Sequence, residues 1–139
     1  MTPPRVTQLL ETGLYTDDLT RAAEFYKNLF GFGTLVENPR IVALDVAGRD
    51  VLLLFKRGAT INPLESPGGT IPPHDGNGPT HFAFGIEHTE LEAWADRLAA
   101  HGIVIESRVE WDRGGVSLYF RDPDGHSVEL ATRGTWATY

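Results

Sequence analysis

The sequence predicts an α+β fold built from two copies of one strand–helix–three-strand module, with sheets that curl around a polar cleft. Two observations support this prediction. Similar amphipathic helix patterns recur roughly 70 residues apart, and each lies between one strand-like run and three later ones. In four of the strand-like runs, the residues on the face away from the helix are small or polar.

The first module is predicted to span about residues 5–56. A strand is expected at 6–15, followed by a helix that begins after Asp18 as N-cap and ends at Gly31. The apolar stripe of this helix consists of Ala22, Phe25, Tyr26 and Leu29. Three strands are predicted after it, around residues 33–37, 41–46 and 50–56.

The second module, about residues 80–131, repeats this order. A strand at 80–86 precedes a helix with a predicted capping box of Thr89 and Glu92, and Gly102 ends the helix. Its apolar stripe consists of Leu91, Trp94, Ala95 and Leu98. Three strands are predicted at residues 104–111, 115–121 and 127–131, and a tail follows at 132–139.

The modules are joined by residues 57–79, which are rich in Gly and Pro and longer than the ~12–15 residues usual for a loop without regular structure. We expect this segment to be a linker, a lid, or both. His74 lies near its end, where it is a candidate lid base or a solvated loop residue.

Composition narrows the possible functions. The 139 residues are 41% hydrophobic, which indicates a single compact domain. The net charge of −7 and the absence of a basic cluster argue against nucleic-acid and membrane partners. No apolar run approaches the ~20 residues of a membrane span and no secretory signal is evident, so a cytoplasmic protein is expected. There is no cysteine, so any metal must be held by nitrogen and oxygen ligands.

Strand alternation places several reactive side chains on the face away from the helices. His81 shares that face with small residues of its strand, and the turn at residues 122–125 sets the register that turns Glu129 toward the cleft. Other candidates on this face are Glu11, Ser117, Tyr119 and Arg121. Small residues beside isolated His and Glu side chains are typical of a concave site, although a solvent-exposed face explains them equally well.

The runs ETGLYTDDLTRAAEFYKNLFGF, HFAFGI and YFRDPDGHSVELA resemble the vicinal oxygen chelate superfamily, which includes glyoxalase I, bleomycin resistance proteins, extradiol dioxygenases and fosfomycin thiol transferases. The resemblance covers nearly the whole chain. It implies two βαβββ modules in a curved eight-stranded mixed sheet with an open cleft, commonly assembled as a homodimer.

The resemblance also implies a divalent metal held by Glu11, His81 and Glu129. The fourth ligand of glyoxalase I would fall near Leu52, flanked by Leu53 and Leu54, so it is missing. One imidazole and two carboxylates favour Mn²⁺ or Fe²⁺, while Ni²⁺, Co²⁺ and Zn²⁺ remain open. If modules pair across subunits, Glu11 serves a site whose His81 belongs to the partner chain.

Other roles follow from this resemblance or stay open. Glu129 would act as ligand and general base, and Tyr119 with Ser117 would contact substrate, unless Tyr119 is only packing. Arg121 binds a substrate carboxylate or is a rim charge. Under the drug-binding alternative of the bleomycin-resistance type, Trp111 and the net charge of −7 would permit a cationic, planar ligand.

The predicted function is a metal-dependent isomerase or lyase that chelates two vicinal oxygens of a small substrate. The alternative is a metal-free drug-binding protein of the bleomycin-resistance type. Thiol transfer is less favoured, because Glu11 replaces a histidine and the loop before Ser117 lacks the usual potassium-binding residues. An extradiol dioxygenase would require two histidine ligands.

Overall fold

The computed structural model describes all 139 residues, which form two compact units, Met1–Gly76 and Asn77–Tyr139. The first unit contains β1 (Glu11–Thr16), α1 (Leu19–Phe30), β2 (Thr34–Glu37), β3 (Ile41–Val46), β4 (Asp50–Lys56), β5 (Leu64–Ser66) and β6 (Gly69–Ile71). The second contains β7 (His81–Gly85), a 3₁₀ turn (His88–Glu90), α2 (Leu91–Ala100), β8 (Ser107–Glu110), β9 (Val116–Arg121) and β10 (Ser127–Ala131). The predicted α+β class with two βαβββ modules is confirmed. We call the two repeats module one and module two.

Both modules have the same sheet topology. The strand orders are β1-β4-β3-β2 and β7-β10-β9-β8, so hydrogen bonds group the eight module strands into two four-stranded sheets. In each sheet the first strand is parallel to the last, and the other pairs are antiparallel. Glu11 pairs with Val51 where His81 pairs with Ser127, so Glu11 and His81 occupy equivalent positions in their modules.

Helix α1 forms as the sequence predicts. The Asp18 carboxylate accepts a hydrogen bond from the Arg21 amide at 3.0 Å, and Gly31 ends the helix with φ 73° while its N–H donates to the Lys27 carbonyl. The stripe residues Tyr26 and Leu29 are fully buried. Capping and burial therefore agree with the predicted pattern.

The predicted capping box of α2 is wrong. A 3₁₀ turn covers His88–Glu90, so Glu90 occupies the N-cap position, and no side chain caps the helix. Thr89 lies inside that turn, one residue before the N-cap position of α2, so its side chain does not cap the helix. The core face is nevertheless as predicted, because Leu91 and Leu98 are buried.

Three segments differ from the predicted boundaries. The first strand begins at residue 11 rather than 6, and β8 is shorter than the run at 104–111. The connecting segment also contains the exposed β5–β6 hairpin, which was not predicted. Beyond that hairpin, the segment is fixed to module one by Thr60, which is fully buried and whose carbonyl accepts from the His74 amide at 2.9 Å. No helix is long and apolar enough to cross a membrane.

Candidate metal centre

Two of the predicted ligands lie together on neighbouring strands of module two. His81 begins β7 and Glu129 is the third residue of the adjacent parallel strand β10, on the same face of the sheet. The distance from His81 Nε2 to Glu129 Oε1 is 3.2 Å. The imidazole is half-exposed, whereas Glu129 is only 6% exposed. The pair therefore places a buried carboxylate beside a half-exposed imidazole ring.

The His81 ring is oriented by the main chain. Its Nδ1 lies 2.9 Å from the Ser127 carbonyl oxygen, which can only accept, so Nδ1 carries a proton. In the neutral ring, Nε2 then directs its lone pair at the Glu129 carboxylate. Two acceptors at that separation need a shared proton or a cation between them. This donor set fits a divalent ion, and the bond at Nδ1 is the partner that metal-binding histidines usually have.

The Glu129 carboxylate is oriented by a chain of two hydrogen bonds from Trp111 and Ser117. The Ser117 hydroxyl donates to Glu129 Oε2, and the Trp111 indole N–H donates to Ser117 Oγ at 2.8 Å. Because indole nitrogen is only a donor, the direction of this chain is fixed toward the carboxylate. Ser117 is fully buried on β9, and it therefore contacts Glu129 rather than the open side of the site.

Tyr119 forms the third side of the arrangement. It lies directly opposite Glu129 in the antiparallel ladder, and its ring stacks on His81 with centroids 6.0 Å apart. Burial raises the pKa of the Tyr119 phenol, and the negative charge of Glu129 raises it further. Tyr119 is therefore a neutral hydrogen-bond donor at neutral pH rather than a base.

The predicted turn at residues 122–125 is present and fixes this register. The Gly125 amide donates to the Asp122 carbonyl at 3.0 Å, and the Asp122 carboxylate accepts from the amide of His126 and lies 2.7 Å from its Nδ1. The ligand atoms of Asp122, Asp124 and His126 lie within 4.8 Å of one another, as a metal site requires. The Asp122 carboxylate accepts from the amides of Asp124 and His126 and lies against the His126 ring, which builds this grouping as a turn.

Arg121, His74 and Glu11 are the remaining predicted site residues. Arg121 pairs with Glu106 at 3.0 Å on the exposed surface. In module one, His74 Nδ1 lies 2.6 Å from Tyr15 Oη, and its ring packs on Phe55 at 4.5 Å. Glu11 is exposed at the start of β1.

The module-one residue equivalent to Glu129 is Leu53, one residue from the Leu52 at which the resemblance would place a fourth ligand. Glu129 pairs with Ala83, two residues after His81, and in module one Leu53 pairs with Gly13, two residues after Glu11. The ladder therefore assigns the equivalent of Glu129 directly, and that position carries no ligand atom.

A pocket that the sequence does not predict lies beside Glu129. Its volume is about 200 Å³, and its lining includes Ala83, Gly85, Glu129, Ala131, Trp136 and Tyr139. The available signal was the pair of aromatic residues in the segment after β10 together with small residues on β7 and β10.

Comparison with known proteins identifies the family of the chain. A family model described as the Glyoxalase/Bleomycin resistance protein/Dioxygenase superfamily matches residues 8–130. The chain belongs to this superfamily.

Individual members of the superfamily are similar to this chain over most of its length. Metallothiol transferase FosB of Lysinibacillus sphaericus (strain C3-41) is 30% identical over 116 residues, 83% of this chain and 74% of that protein. Catechol-2,3-dioxygenase of Bacillus subtilis (strain 168) is 32% identical over 85% of this chain and 40% of that protein. The crystal structure of lactoylglutathione lyase from Agrobacterium tumefaciens matches with a TM-score of 0.86 at 34% identity, covering 98% of this chain and 99% of that one.

Proposed function

We propose that this chain is a metal-dependent enzyme of the lyase or isomerase type that binds a small substrate through two vicinal oxygens. The observation that carries the proposal is the His81–Glu129 pair, whose Nε2 and Oε1 atoms lie 3.2 Å apart. The similarity to a lactoylglutathione lyase over almost the whole of both chains supports the reaction class.

His81 Nε2 and Glu129 Oε1 would hold the ion in module two. A divalent ion supplies Lewis acidity, which polarises substrate oxygens and stabilises negative charge that develops on them. Oxygen-rich ligation favours Mn²⁺ or Fe²⁺, with Ni²⁺, Co²⁺ and Zn²⁺ as further candidates. Glu11 as the third ligand stays a prediction, since it rests on resemblance and on its position equivalent to His81.

The protein groups supply positioning and proton transfer. Ser117 and Trp111 fix the Glu129 carboxylate, which limits its rotation and lets it act as the base that removes and returns a substrate proton. Tyr119, kept neutral by its raised pKa, would donate a hydrogen bond to a substrate oxygen. Arg121 would contact substrate only if Glu106 releases it, and a substrate contact of His74, which lies 2.6 Å from Tyr15 Oη, stays a prediction.

Thiol transfer is the second candidate, because relatives named metallothiol transferases are about 30% identical over 83% of the chain. It uses the same metal pair, so metal binding does not separate the two reactions. Assays for isomerisation of methylglyoxal–thiol adducts and for thiol addition to an epoxide, run with the same metal-loaded protein, do separate them.

Calorimetric titration with Mn²⁺, Ni²⁺ and Zn²⁺ tests the metal site itself. We expect one ion per chain, with affinity strongly reduced in His81→Ala and Glu129→Gln and unchanged in His101→Ala, an exposed histidine at the end of α2. Glu11→Gln reports separately on the third ligand. Protein that binds none of these ions would overturn the proposal and favour a metal-free binding protein of the bleomycin-resistance type.

A further inference from the structure

The segment that follows β10 folds back and forms one wall of the pocket beside Glu129. Its Trp136 and Tyr139 face a floor formed by Ala83, Gly85 and Ala131, and Glu129 lies in the same lining. Glu129 is therefore shared between the metal pair and this pocket. A group that enters the pocket lies next to the candidate metal centre.

Specific contacts hold the segment in place. The Tyr139 carbonyl accepts from the amides of Gly134 at 2.7 Å and Trp136 at 3.2 Å. The Arg133 guanidinium lies over the Tyr139 ring, 4.7 Å from its centroid. A Cβ added to Gly115 would lie 2.4 Å from the Thr135 amide nitrogen, so the segment packs directly against the backbone before β9. These contacts therefore fix the segment within the second compact unit.

The pocket exists because two strand residues are small. Gly85 pairs with Ala131, and a Cβ on Gly85 would lie 2.4 Å from Tyr139 Oη. At the equivalent position of module one, Tyr15 pairs with Phe55 and the two rings stack with centroids 5.6 Å apart. In module one, the rings of Tyr15 and Phe55 occupy the space above the strand pair. In module two, Gly85 and Ala131 leave that space to the pocket and to Tyr139.

The lining indicates what kind of group fits this space. An apolar cavity of about 150 Å³ can hold a benzene molecule, and this pocket has about 200 Å³. Trp136 is 71% exposed at its edge, which leaves an aromatic surface without a protein partner. Glu129 is the only acidic side chain in the lining, and its negative charge disfavours anionic groups in the pocket.

We propose that this pocket binds a single uncharged aromatic ring, attached to the substrate next to its two vicinal oxygens, and that Trp136 and Tyr139 determine this specificity. The inference rests on the proposed function, because the metal pair would place those oxygens beside the pocket. Ring stacking and burial of apolar surface would supply the selectivity.

Two hydroxamates test the proposal, since both chelate a divalent ion through two adjacent oxygens and differ only in a methyl or phenyl group. We expect Mn²⁺-loaded protein to bind benzohydroxamate about tenfold more tightly than acetohydroxamate. Trp136→Ala and Tyr139→Ala should each reduce this ratio toward one while leaving acetohydroxamate affinity unchanged. Val104→Ala, at an exposed apolar residue of module two outside the pocket, is the matched control and should keep the ratio.

The outcomes separate this inference from the proposed function. If acetohydroxamate binds and benzohydroxamate binds no more tightly, or if the ratio survives both pocket variants, the aromatic pocket is disproved while the metal centre stands. If no metal binds, quenching of tryptophan fluorescence by benzyl alcohol tests the pocket alone. A saturable signal that Tyr139→Ala removes, in a variant that keeps Trp136 as the fluorophore, would support it, and its absence would overturn it.

Discussion

Module one and module two share a strand order and a ladder register but differ at the positions that carry chemistry. Module two places Ser117, Tyr119 and Glu129 on one face of its sheet, the face that also carries His81. The ladder of module one places Ile41, Ala43 and Leu53 at the equivalent positions. The polar network thus belongs to one repeat alone.

This difference shows how one scaffold separates structural and functional roles. In module one, apolar residues and the Tyr15–Phe55–His74 ring cluster fill the sheet face, and the only candidate ligand is the exposed Glu11. In module two, a buried carboxylate needs hydrogen-bond partners, and Ser117 provides one. The repeat with the costly buried charge is the one that the proposed chemistry uses.

Replacing Glu129 by leucine tests this difference most directly, because it makes module two resemble module one at Leu53. Loss of the only buried ligand should weaken metal binding by at least about a hundredfold, measured by calorimetry. Circular dichroism should show an intact fold, since the half-exposed His81 ring can be solvated and only the Ser117 hydroxyl loses its acceptor, at a cost of about 1–3 kcal/mol. Leu53→Ala is the control, and equal losses in both variants would contradict the asymmetry between modules.

Removing the Ser117 hydroxyl should have the next largest effect. Without its hydrogen bond the Glu129 carboxylate is less well oriented, so Ser117→Ala should weaken metal binding by about tenfold. Ser127→Ala is a matched control, because Ser127 holds His81 through its carbonyl oxygen rather than its hydroxyl. If both alanine variants bind metal as well as the original chain, the Trp111–Ser117–Glu129 chain is not a positioning device.

The helix N-termini provide a smaller, purely structural contrast. Asp18→Ala removes the side-chain cap of α1 and should lower the free energy of unfolding by about 1 kcal/mol. Thr89→Ala should change it by less than about 0.5 kcal/mol, because no side chain caps α2. Urea denaturation of the two variants measures both values. If Thr89→Ala lowers the free energy of unfolding as much as Asp18→Ala does, Thr89 caps α2 after all.

Tyrosine ionisation should give the smallest difference. Burial raises the pKa of Tyr15 and of Tyr119, with added contributions from the charges of Asp75 and Glu129 respectively. Both folded-state values lie above the unfolded value near 10, so their stabilising contribution is complete below about pH 10 and is lost as the pH rises further. In absorbance titrations at alkaline pH, Asp75→Asn should lower the pKa of Tyr15 alone and Glu129→Gln that of Tyr119 alone. A single substitution that changes the pKa of both tyrosines would show that a charge in one module affects ionisation in the other.

The sequence predicts those features that depend on local pattern. The α1 stripe and the Asp18 cap are visible as spacing, and the turn at residues 122–125 together with strand alternation places Glu129 on the face of His81. These features need only neighbouring residues, and the structure confirms them.

The sequence does not predict features that depend on contacts between residues far apart in the chain. The role of Ser117 follows from strand pairing, which brings Trp111 and Glu129 to the same hydroxyl. The pocket arises because Tyr139 packs on Gly85, a contact across most of the module that leaves no periodic signal. The α2 cap failed for a different reason, since a 3₁₀ turn before the helix displaces Thr89.

The fixed direction of the Trp111–Ser117–Glu129 chain has a spectroscopic consequence. The Ser117 hydroxyl is fully buried. It accepts a hydrogen bond from the Trp111 indole N–H, which is only a donor, and donates one to Glu129. Exchange of the hydroxyl proton with solvent requires local opening of the sheet. It should therefore give a slowly exchanging resonance in proton NMR, whose chemical shift reports the charge on Glu129. The protein thus carries its own probe of whether this carboxylate is bare, protonated or bound to an ion.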